Sequence, residues 1–466
     1  MHIHNMSRWD CPFFAREPDS GQQLPNEESL YTFAKFQGHA KATGLKKSVI
    51  IFSLYKWSFY LVAFTLPLLQ PQWNSLFIIL MIILWPFAIG GNNIWQEIKT
   101  NRTIWLFSSL FLADAIGLIH SDNIPYGLRY VETHLSILVF PALILTSRNQ
   151  LGKKVIDKIF YSLMLGIFGV LAGYLVIIST SPQIEGMSLG QIFQQRLTDF
   201  PPIRDQSIIE IHPSFLSMYI SISIFFVINK FIHDKKSISV YLFSFLLILL
   251  LGFQVWLNSR AGLLGFLIVG SILLVLQLNR KYKLYTVAGL VVLLIIIFSF
   301  PPTKERFVDA PLRAWTNGTG VNVNDKETWP ISFRIQIMDC SLSLLQDANW
   351  IFGYGTGDFK DEMYRCFVEK NYTWLMARNL DEHCEYFAQL HRLGILGLLL
   401  LLTVFLYPTS KALRDKNYLY FSFLILIAIS AIPENLLASQ KGVVFYALFN
   451  SLLFLGPKEK HISEEK

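Results

Sequence analysis

Residues 238–277 read ISVYLFSFLLILLLGFQVWLNSRAGLLGFLIVGSILLVLQ, and this stretch already indicates the class of protein. Arg260 is the only charged residue in it, and it lies between two apolar runs at 238–256 and 261–277. A helix needs about 20 apolar residues to cross a hydrocarbon core of about 30 Å. Each run is close to that length, so the stretch predicts two membrane-spanning helices joined by a short connection.

The composition of the whole chain agrees with this interpretation. Of its 466 residues, 53% are hydrophobic and 16% are charged, against about 25% charged residues in a soluble protein. The mean hydropathy is +0.41. These values exclude a disordered chain, a collagen-like repeat and a small disulfide scaffold. The net charge of +7 does not indicate nucleic-acid binding, because the basic residues are spread over short segments between apolar runs.

The same length criterion predicts an all-α polytopic membrane protein with about twelve transmembrane helices. The predicted spans are 48–69, 75–90, 103–119, 130–146, 157–179, 209–229, 238–256, 261–277, 284–300, 386–407, 417–433 and 441–456. The chain then divides into an N-terminal tail (1–47), spans 1–9 (48–300), a long loop with short helices (301–385), spans 10–12 (386–456) and a C-terminal tail (457–466).

The distribution of Lys and Arg predicts the orientation in the membrane. The connections that carry these residues are the even-numbered ones, at 147–158, 229–237, 279–283 and 410–417. The odd-numbered connections at 70–74, 120–129 and 434–440 have almost none. Cytoplasmic loops of membrane proteins are rich in Lys and Arg. Both termini are therefore expected in the cytoplasm of a multi-pass protein, and the long loop on the opposite side.

The loop 301–385 is the expected location of function, because most other connections are short. It contains a predicted helix at 331–346 and the sequence FGYGTGDF at 352–359. Without a strand before it and a helix after it, a Gly-rich sequence of this kind is a weak nucleotide signal, and a tight turn is the better interpretation. Cys340, Cys366 and Cys384 lie on the same predicted side, where one disulfide can form in any of three pairings.

Several polar residues fall where the predicted topology makes them candidates for function. Arg260 lies at the start of the eighth span, Arg334 on the loop helix, and His383 at the mouth of the tenth span. An imidazole suits proton transfer near neutral pH. His212, at the start of the sixth span, and Glu385, beside His383, are accessory candidates. Asp114 lies inside the third span, where an ionisable residue indicates a transport pathway or a buried pair.

Three segments in this order resemble the O-antigen ligase and polymerase family of bacterial envelope glycosyltransferases. They are NSRAGLLGFLIVG (258–270), the Arg334 helix followed by GYGTGDF (353–359), and HCEYFAQLHRLGILGLLLLL (383–402). The match covers about 150 residues. His383-Cys384 stands where the family usually has His-Asn, and His212-Pro213-Ser214 where it often has a sequence similar to Asn-Pro-Asn.

This resemblance implies metal-independent glycan transfer without a cofactor, on the periplasmic face of the bacterial inner membrane. The implied donor is a glycan on undecaprenyl diphosphate, and the implied acceptor is a lipid A–core hydroxyl or a growing glycan. Carried over by position, Arg260 and Arg334 would bind the donor diphosphate and His383 would act as the base. The chemistry is consistent, since arginine binds phosphate with a planar fork of donors and stays charged.

Other functions remain open from the sequence alone. Within the same family, the chain could extend a polysaccharide as an O-antigen or exopolysaccharide polymerase instead of ligating it. A twelve-helix transporter or lipid-glycan flippase is a further alternative, although transporters favour charged residues near the bilayer midplane. A glycosyltransferase that uses polyprenyl-monophosphate sugars and a metal commonly has acidic residues in its first extracytoplasmic loop, and residues 70–74 contain none.

Overall fold

The structure is a computed structural model that describes residues 49–180, 211–233, 237–277, 304–318, 320, 328–347, 349–378 and 380–455, and the single positions 284, 288 and 291. The chain divides into two compact units, Met1–Ile51 and Phe52–Lys466. Of the first unit, only the start of the first helix at residues 49–51 is described. The predicted N-terminal tail, the predicted ninth span and the predicted C-terminal tail fall almost entirely outside the described residues.

Helices make up all the regular secondary structure of the described residues. The helices before the long loop are α1 (Val49–Leu68), α2 (Pro71–Ile89), α3 (Gly91–Thr100), α4 (Arg102–Gly117), α5 (Ile124–Ser147), α6 (Lys153–Ser179), α7 (Pro213–His233), α8 (Ser237–Leu257) and α9 (Arg260–Gln277). The later helices are α10 (Ala310–Thr316), α11 (Trp329–Asp347), α12 (Phe359–Glu369), α13 (Thr373–Arg378), α14 (Glu385–Arg414), α15 (Tyr418–Ser430) and α16 (Gln440–Leu455).

Nine helices among the described residues are long and apolar enough to cross a membrane. They coincide with predicted spans 1–8 and 10. The predicted eleventh and twelfth spans are also helical, but α15 has 13 residues and α16 has 16, which is short for a membrane crossing. The described part of the chain therefore confirms an all-helical polytopic fold and does not confirm the count of twelve.

The described residues combine an apolar core with an apolar outer surface. Large apolar residues face outward, for example Leu165, Ile248 and Leu406, which are at least 60% exposed. Ionisable residues such as Asp114 and Arg392 are fully buried. Burying a charge is unfavourable unless it is paired, whereas an apolar outer surface suits a lipid environment. Helices also satisfy their own backbone hydrogen bonds, as a membrane interior requires.

Small residues bring three helices together at one end of the bundle. A Cβ at Gly262, two residues into α9, would lie 1.8 Å from Ser217 Oγ of α7. One turn later, Gly265 of α9 faces Leu426 and Ser430 near the end of α15. Such small residues allow helix backbones to approach closely in a membrane. The starts of α7 and α9 and the end of α15 therefore lie at the same end.

The long loop contains its own small core. The helix predicted at 331–346 is confirmed as α11, and it packs against α12 through buried Phe333, Ile337 and Phe367. A disulfide between Cys340 and Cys366 joins the two helices, with a Cα–Cα distance of 5.8 Å. Cys384 is a free thiol. Of the three pairings left open by the sequence, the structure thus contains Cys340–Cys366.

The Gly-rich segment is a tight turn, as predicted, and it packs into a break in α14. The break is at Gly394, with φ 65° and ψ −161°. In the turn, Tyr354 N donates to His391 O at 2.7 Å and Gly355 N donates to Arg392 O at 3.0 Å. A Cβ at Gly353 would lie 2.4 Å from His391 O, so this position requires glycine. The backbone donors of the turn bind the protein itself and do not form a phosphate-binding loop.

Candidate active site

His383 lies two residues before the start of α14, in the left-handed region of backbone conformation with φ 45°. This conformation is uncommon for a residue other than glycine. Asp381 supports it, because its Oδ1 accepts a hydrogen bond from the His383 backbone N at 3.2 Å. The ring has Nδ1 3.7 Å from Glu434 Oε2 and Nε2 3.9 Å from Asp381 Oδ1. The imidazole is therefore positioned between two carboxylates.

Glu434 lies at the centre of the site, in the connection between α15 and α16. Its Oε1 accepts hydrogen bonds from Arg334 Nη2 at 3.1 Å and from Ser214 Oγ at 2.9 Å, while Oε2 faces His383. The residue is 7% exposed. One carboxylate thus connects the loop helix α11, the start of α7 and the segment before α14.

The charges of this group shift the pKa values of both acid and base. Burial raises the pKa of Glu434, but the nearby His383 ring and the charges of His212 and Arg334 outweigh it and lower the pKa to about 2. For His383, burial lowers the pKa, and the carboxylates of Glu434 and Asp381 outweigh it, so the pKa lies above its usual value. Glu434 is therefore ionised at neutral pH, and the imidazole is more basic than a free one.

His212 stands at the edge of the same site, directly before the first residue of α7. Its ring reaches solvent, yet the protein around it displaces water, and this desolvation lowers its pKa. The backbone N of Ser214 lies 3.4 Å from His212 Nδ1. The electrostatic partners of His212 include Glu434, His383 and Arg334, which places this accessory candidate beside the predicted base.

The structure places the two predicted diphosphate-binding arginines at the same end of the bundle. Arg334 contacts Glu434 directly, and its side chain is 38% exposed. Arg260 is half-buried and is the first residue of α9. The packing of Gly262 against Ser217 puts it near the start of α7, which carries Ser214. Arg334, His383 and His212 are thus grouped around Glu434, and Arg260 lies at the same end.

Glu385, the other accessory candidate, points away from this group. It is fully buried at the start of α14. Its Oε2 accepts a hydrogen bond from Leu437 N at 2.7 Å, and its Oε1 lies 3.9 Å from Arg392 Nη2. The sequence places Glu385 only two residues from His383, but the helix turns its carboxylate toward the interior.

The pattern of the sequence did not predict Glu434, Ser214 or Asp381 as residues of the site. A signal for Glu434 was present, because IPEN (432–435) puts a carboxylate directly after an apolar span on the predicted side of His383. The connection was considered only for its lack of Lys and Arg. Among the residues that the structure describes, no group of three or more His, Cys, Asp or Glu side chains is placed to hold a metal ion.

Comparison with known proteins supports the resemblance seen in the sequence. Residues 245–402 match the family model for the O-antigen ligase. This range includes Arg260, Arg334 and His383, so the predicted family is confirmed for this part of the chain. The match indicates a function of the O-antigen ligase or polymerase type in a multi-pass membrane protein. No curated protein matched the chain.

Proposed function

We propose, from the O-antigen ligase domain at residues 245–402, that this protein transfers a preassembled glycan from undecaprenyl diphosphate to a lipid A–core hydroxyl. The reaction takes place at the periplasmic face of the inner membrane. The observation that carries the proposal is the grouping of His383 and Arg334 on either side of Glu434. A base and a phosphate-binding cation are then within reach of one substrate.

In the proposed reaction, the acceptor hydroxyl oxygen attacks the anomeric carbon of the donor. His383 Nε2 takes the hydroxyl proton, a bond forms between this oxygen and the anomeric carbon, and the bond from that carbon to the diphosphate oxygen breaks. The undecaprenyl diphosphate leaves with the electron pair. A positioned base typically contributes about 10²–10⁴-fold to the rate.

Glu434 has the role of orienting and strengthening this base. Its Oε2 faces Nδ1 of His383, which leaves Nε2 directed away from it. The distance of 3.9 Å between Nε2 and Asp381 Oδ1 is too long for a hydrogen bond. The lone pair of Nε2 therefore stays available to a substrate hydroxyl. An anionic group on the far side of an imidazole also stabilises the imidazolium that forms during proton transfer.

Arg260 and Arg334 supply positive charge for the departing diphosphate. Glu434 engages Nη2 of Arg334, and the planar guanidinium has further N–H donors with which it can bind phosphate. Each charge-assisted hydrogen bond is worth about 1.5–3 kcal/mol. If these bonds strengthen as the sugar–phosphate bond breaks, they accelerate the reaction. The proposed mechanism uses no metal ion and no cofactor.

Two observations support a periplasmic site. The disulfide Cys340–Cys366 joins the helix of Arg334 to α12, and disulfides are typical of oxidising compartments such as the bacterial periplasm. The Lys- and Arg-rich connections at 147–158 and 410–417, which are expected in the cytoplasm, lie at the other ends of their helices. In this orientation both termini are cytoplasmic.

The direct test is a transfer assay with the purified full-length protein in proteoliposomes. The donor is an undecaprenyl-diphosphate oligosaccharide, and the acceptor is lipid A–core. We expect glycan-modified lipid A–core with the wild-type protein, and a loss of at least about 10²-fold with His383→Ala. Full activity of His383→Ala at equal protein levels would remove this residue from the mechanism.

A deletion strain distinguishes a ligase from a polymerase. If the protein is a ligase, all long-chain lipopolysaccharide is lost and carrier-linked polymer accumulates. If the strain instead keeps a single repeat unit on the lipid core, the protein is a polymerase that extends the glycan on its carrier. The proposed chemistry at His383 is the same in both cases, since only the acceptor differs.

A further inference from the structure

A cluster of ionisable side chains is buried between α4, α5 and α14. Arg392 Nε donates to Asp114 Oδ1 at 2.8 Å, and His134 Nδ1 lies 2.5 Å from Asp114 Oδ2. Arg392 Nη2 lies 3.9 Å from Glu385 Oε1. All four residues are fully buried. We refer to Asp114, His134, Glu385 and Arg392 as the buried cluster.

Burying the ionisable side chains of this cluster has a cost in the stability of the folded protein. Ions removed from water lose several kcal/mol of solvation each, and their mutual attraction often does no more than offset that loss. Packed apolar residues of similar size would serve stability at least as well. The contacts of the buried cluster with the rest of the protein therefore indicate its role.

The buried cluster holds the backbone on both sides of Glu434. Glu385 Oε2 accepts a hydrogen bond from Leu437 N at 2.7 Å, and His134 Nε2 lies 2.7 Å from Leu437 O. The backbone N of Glu385 donates to Ala431 O at 2.9 Å. Glu434 lies between Ala431 and Leu437, so the segment that carries it is fixed at two points.

The chemistry of His134 fits a role as a fixed support. One ring nitrogen faces the Asp114 carboxylate, and the other faces the carbonyl oxygen of Leu437. The ring thus links the Asp114 carboxylate of α4 to the backbone of Leu437. Asp114 is held in turn by Arg392, which also donates to Tyr130 Oη and Gln389 Oε1.

We propose that the buried cluster positions Glu434 against His383. The proposal rests on the proposed function, in which Glu434 orients the base. Glu385 is two residues after His383 and holds the Glu434 segment from the same helix start. The buried cluster thus fixes the distance between the Glu434 carboxylate and the His383 imidazole. The four residues are positioning residues, because they contact the Glu434 segment and act through it.

The test is a double-mutant cycle between His134 and Glu434, measured as the rate of glycan transfer in proteoliposomes. A misplacement of about 1 Å in an active site can reduce the rate about 10²-fold. We expect His134→Gln to lower kcat at least about tenfold when Glu434 is present, and less than about twofold in the Glu434→Gln background. Equal losses in both backgrounds would overturn the proposal, because a purely structural residue does not act through Glu434.

Three further variants keep the test independent of folding defects. Thr133→Ala, at the half-buried neighbour of His134, is the matched control and is expected to keep wild-type kcat. Glu385→Gln retains an oxygen that accepts from Leu437 N, whereas Glu385→Leu does not. We expect Glu385→Gln to keep at least about tenfold more activity than Glu385→Leu. Equal activity of the two at equal protein levels would contradict a positioning role.

Hydrogen exchange tests the positioning without any enzymatic assay. In the purified protein, we expect His134→Gln to increase deuterium uptake in peptides covering residues 431–439, and Thr133→Ala to leave it unchanged. Unchanged uptake in His134→Gln would overturn the inference. If uptake increases while the wild-type protein transfers no glycan, the positioning is supported and the proposed function alone fails.

Discussion

Glu434 is the residue on which the chemistry of the site depends, because it contacts a cation, a hydroxyl and an imidazole at the same time. Its carboxylate raises the pKa of His383. A general base acts in its neutral form, so the rate increases as the pH rises through this pKa. In the proposed mechanism, Glu434 thus sets both the orientation of His383 and the pH at which His383 becomes active as a base.

Substituting Glu434 by glutamine removes this charge and keeps the shape of the side chain. We expect kcat to fall and the acidic limb of the pH–rate profile to move to lower pH, since the pKa of His383 then falls. The measurement is kcat for glycan transfer between about pH 5 and 9. The control is Glu369→Gln, at the exposed end of α12. An acidic limb at the wild-type position in Glu434→Gln would contradict the role of this residue.

Arg334 is expected to act through the shape of its guanidinium as well as its charge. Arg334→Ala should reduce kcat/KM at least about tenfold, the equivalent of one charge-assisted hydrogen bond. Arg334→Lys should recover only part of this loss, because an ammonium lacks the planar fork.

Free guanidinium offers a chemical control for this residue. We expect added guanidinium to increase the activity of Arg334→Ala and to leave the activity of Arg365→Ala unchanged, since Arg365 lies on the exposed side of α12. Arg334→Ala with wild-type kcat/KM would exclude the residue from donor binding.

At this scale, the sequence predicted the residues that lie in recognisable patterns and missed those defined by long-range contacts. His383, Arg334 and Arg260 stand out because a charged or titratable side chain next to an apolar run is unusual. Glu434 contacts Arg334 across 100 positions, and Asp114 contacts Arg392 across 278. Of the two interpretations considered for Asp114, the buried pair is what the structure contains, and its partners required the fold.

Among the helices, α9 shows how an element positions a functional side chain. Gly262 lets α9 approach α7 so closely that no side chain fits between the helix and Ser217. The position of Arg260, two residues earlier, follows from that contact. The helix–helix packing therefore determines where the charge of Arg260 is presented.

Gly262→Ala should separate the two helices and displace Arg260. Overpacking of this kind typically costs about 1–3 kcal/mol, so we expect a lower melting temperature in detergent and a higher KM for the donor. Gly252→Ala is the control, because a Cβ at Gly252 of α8 meets open space. A Gly262→Ala protein with the wild-type melting temperature and KM would show that this contact does not position Arg260.

The lengths of the apolar runs predicted well which segments are helical. They did not predict where a helix is interrupted. Eight of the predicted spans before the long loop correspond to helices α1, α2 and α4–α9. The short helix α3 was not predicted, since its ten residues are mixed in polarity. The break at Gly394 was also missed, because it depends on a turn some 40 residues earlier that donates hydrogen bonds to its carbonyl groups.

For the whole molecule, the orientation in the membrane is the property on which the periplasmic site depends. The connection between α14 and α15 is expected on the opposite side from His383 and Glu434, because α14 is long enough to cross the membrane and begins beside His383. The connection that carries Glu434 and the connection between α14 and α15 each have an exposed residue suited to labelling, Ile432 in the first and Lys416 in the second.

Cysteine labelling in intact cells tests this orientation. In a background with Cys11→Ser and Cys384→Ser, we expect a membrane-impermeant maleimide to label Ile432→Cys in cells with a permeable outer membrane. Lys416→Cys should be labelled only after the inner membrane is opened. The reverse pattern would place His383 and Glu434 in the cytoplasm and exclude the proposed donor geometry.

The turn that fills the break in α14 determines how substrates can enter. Besides its bonds to α14, Thr356 N donates to Gly117 O, and Gly357 N donates to Ser121 Oγ. Asp358 accepts from the backbone of Asp122 and Asn123. The part of the long loop that contains the disulfide-linked helices α11 and α12 is consequently attached to the transmembrane helices at several points and is not a hinged lid. If the donor is the polyprenyl-linked glycan proposed above, we expect it to enter laterally from the lipid, between helices, without movement of this part of the loop.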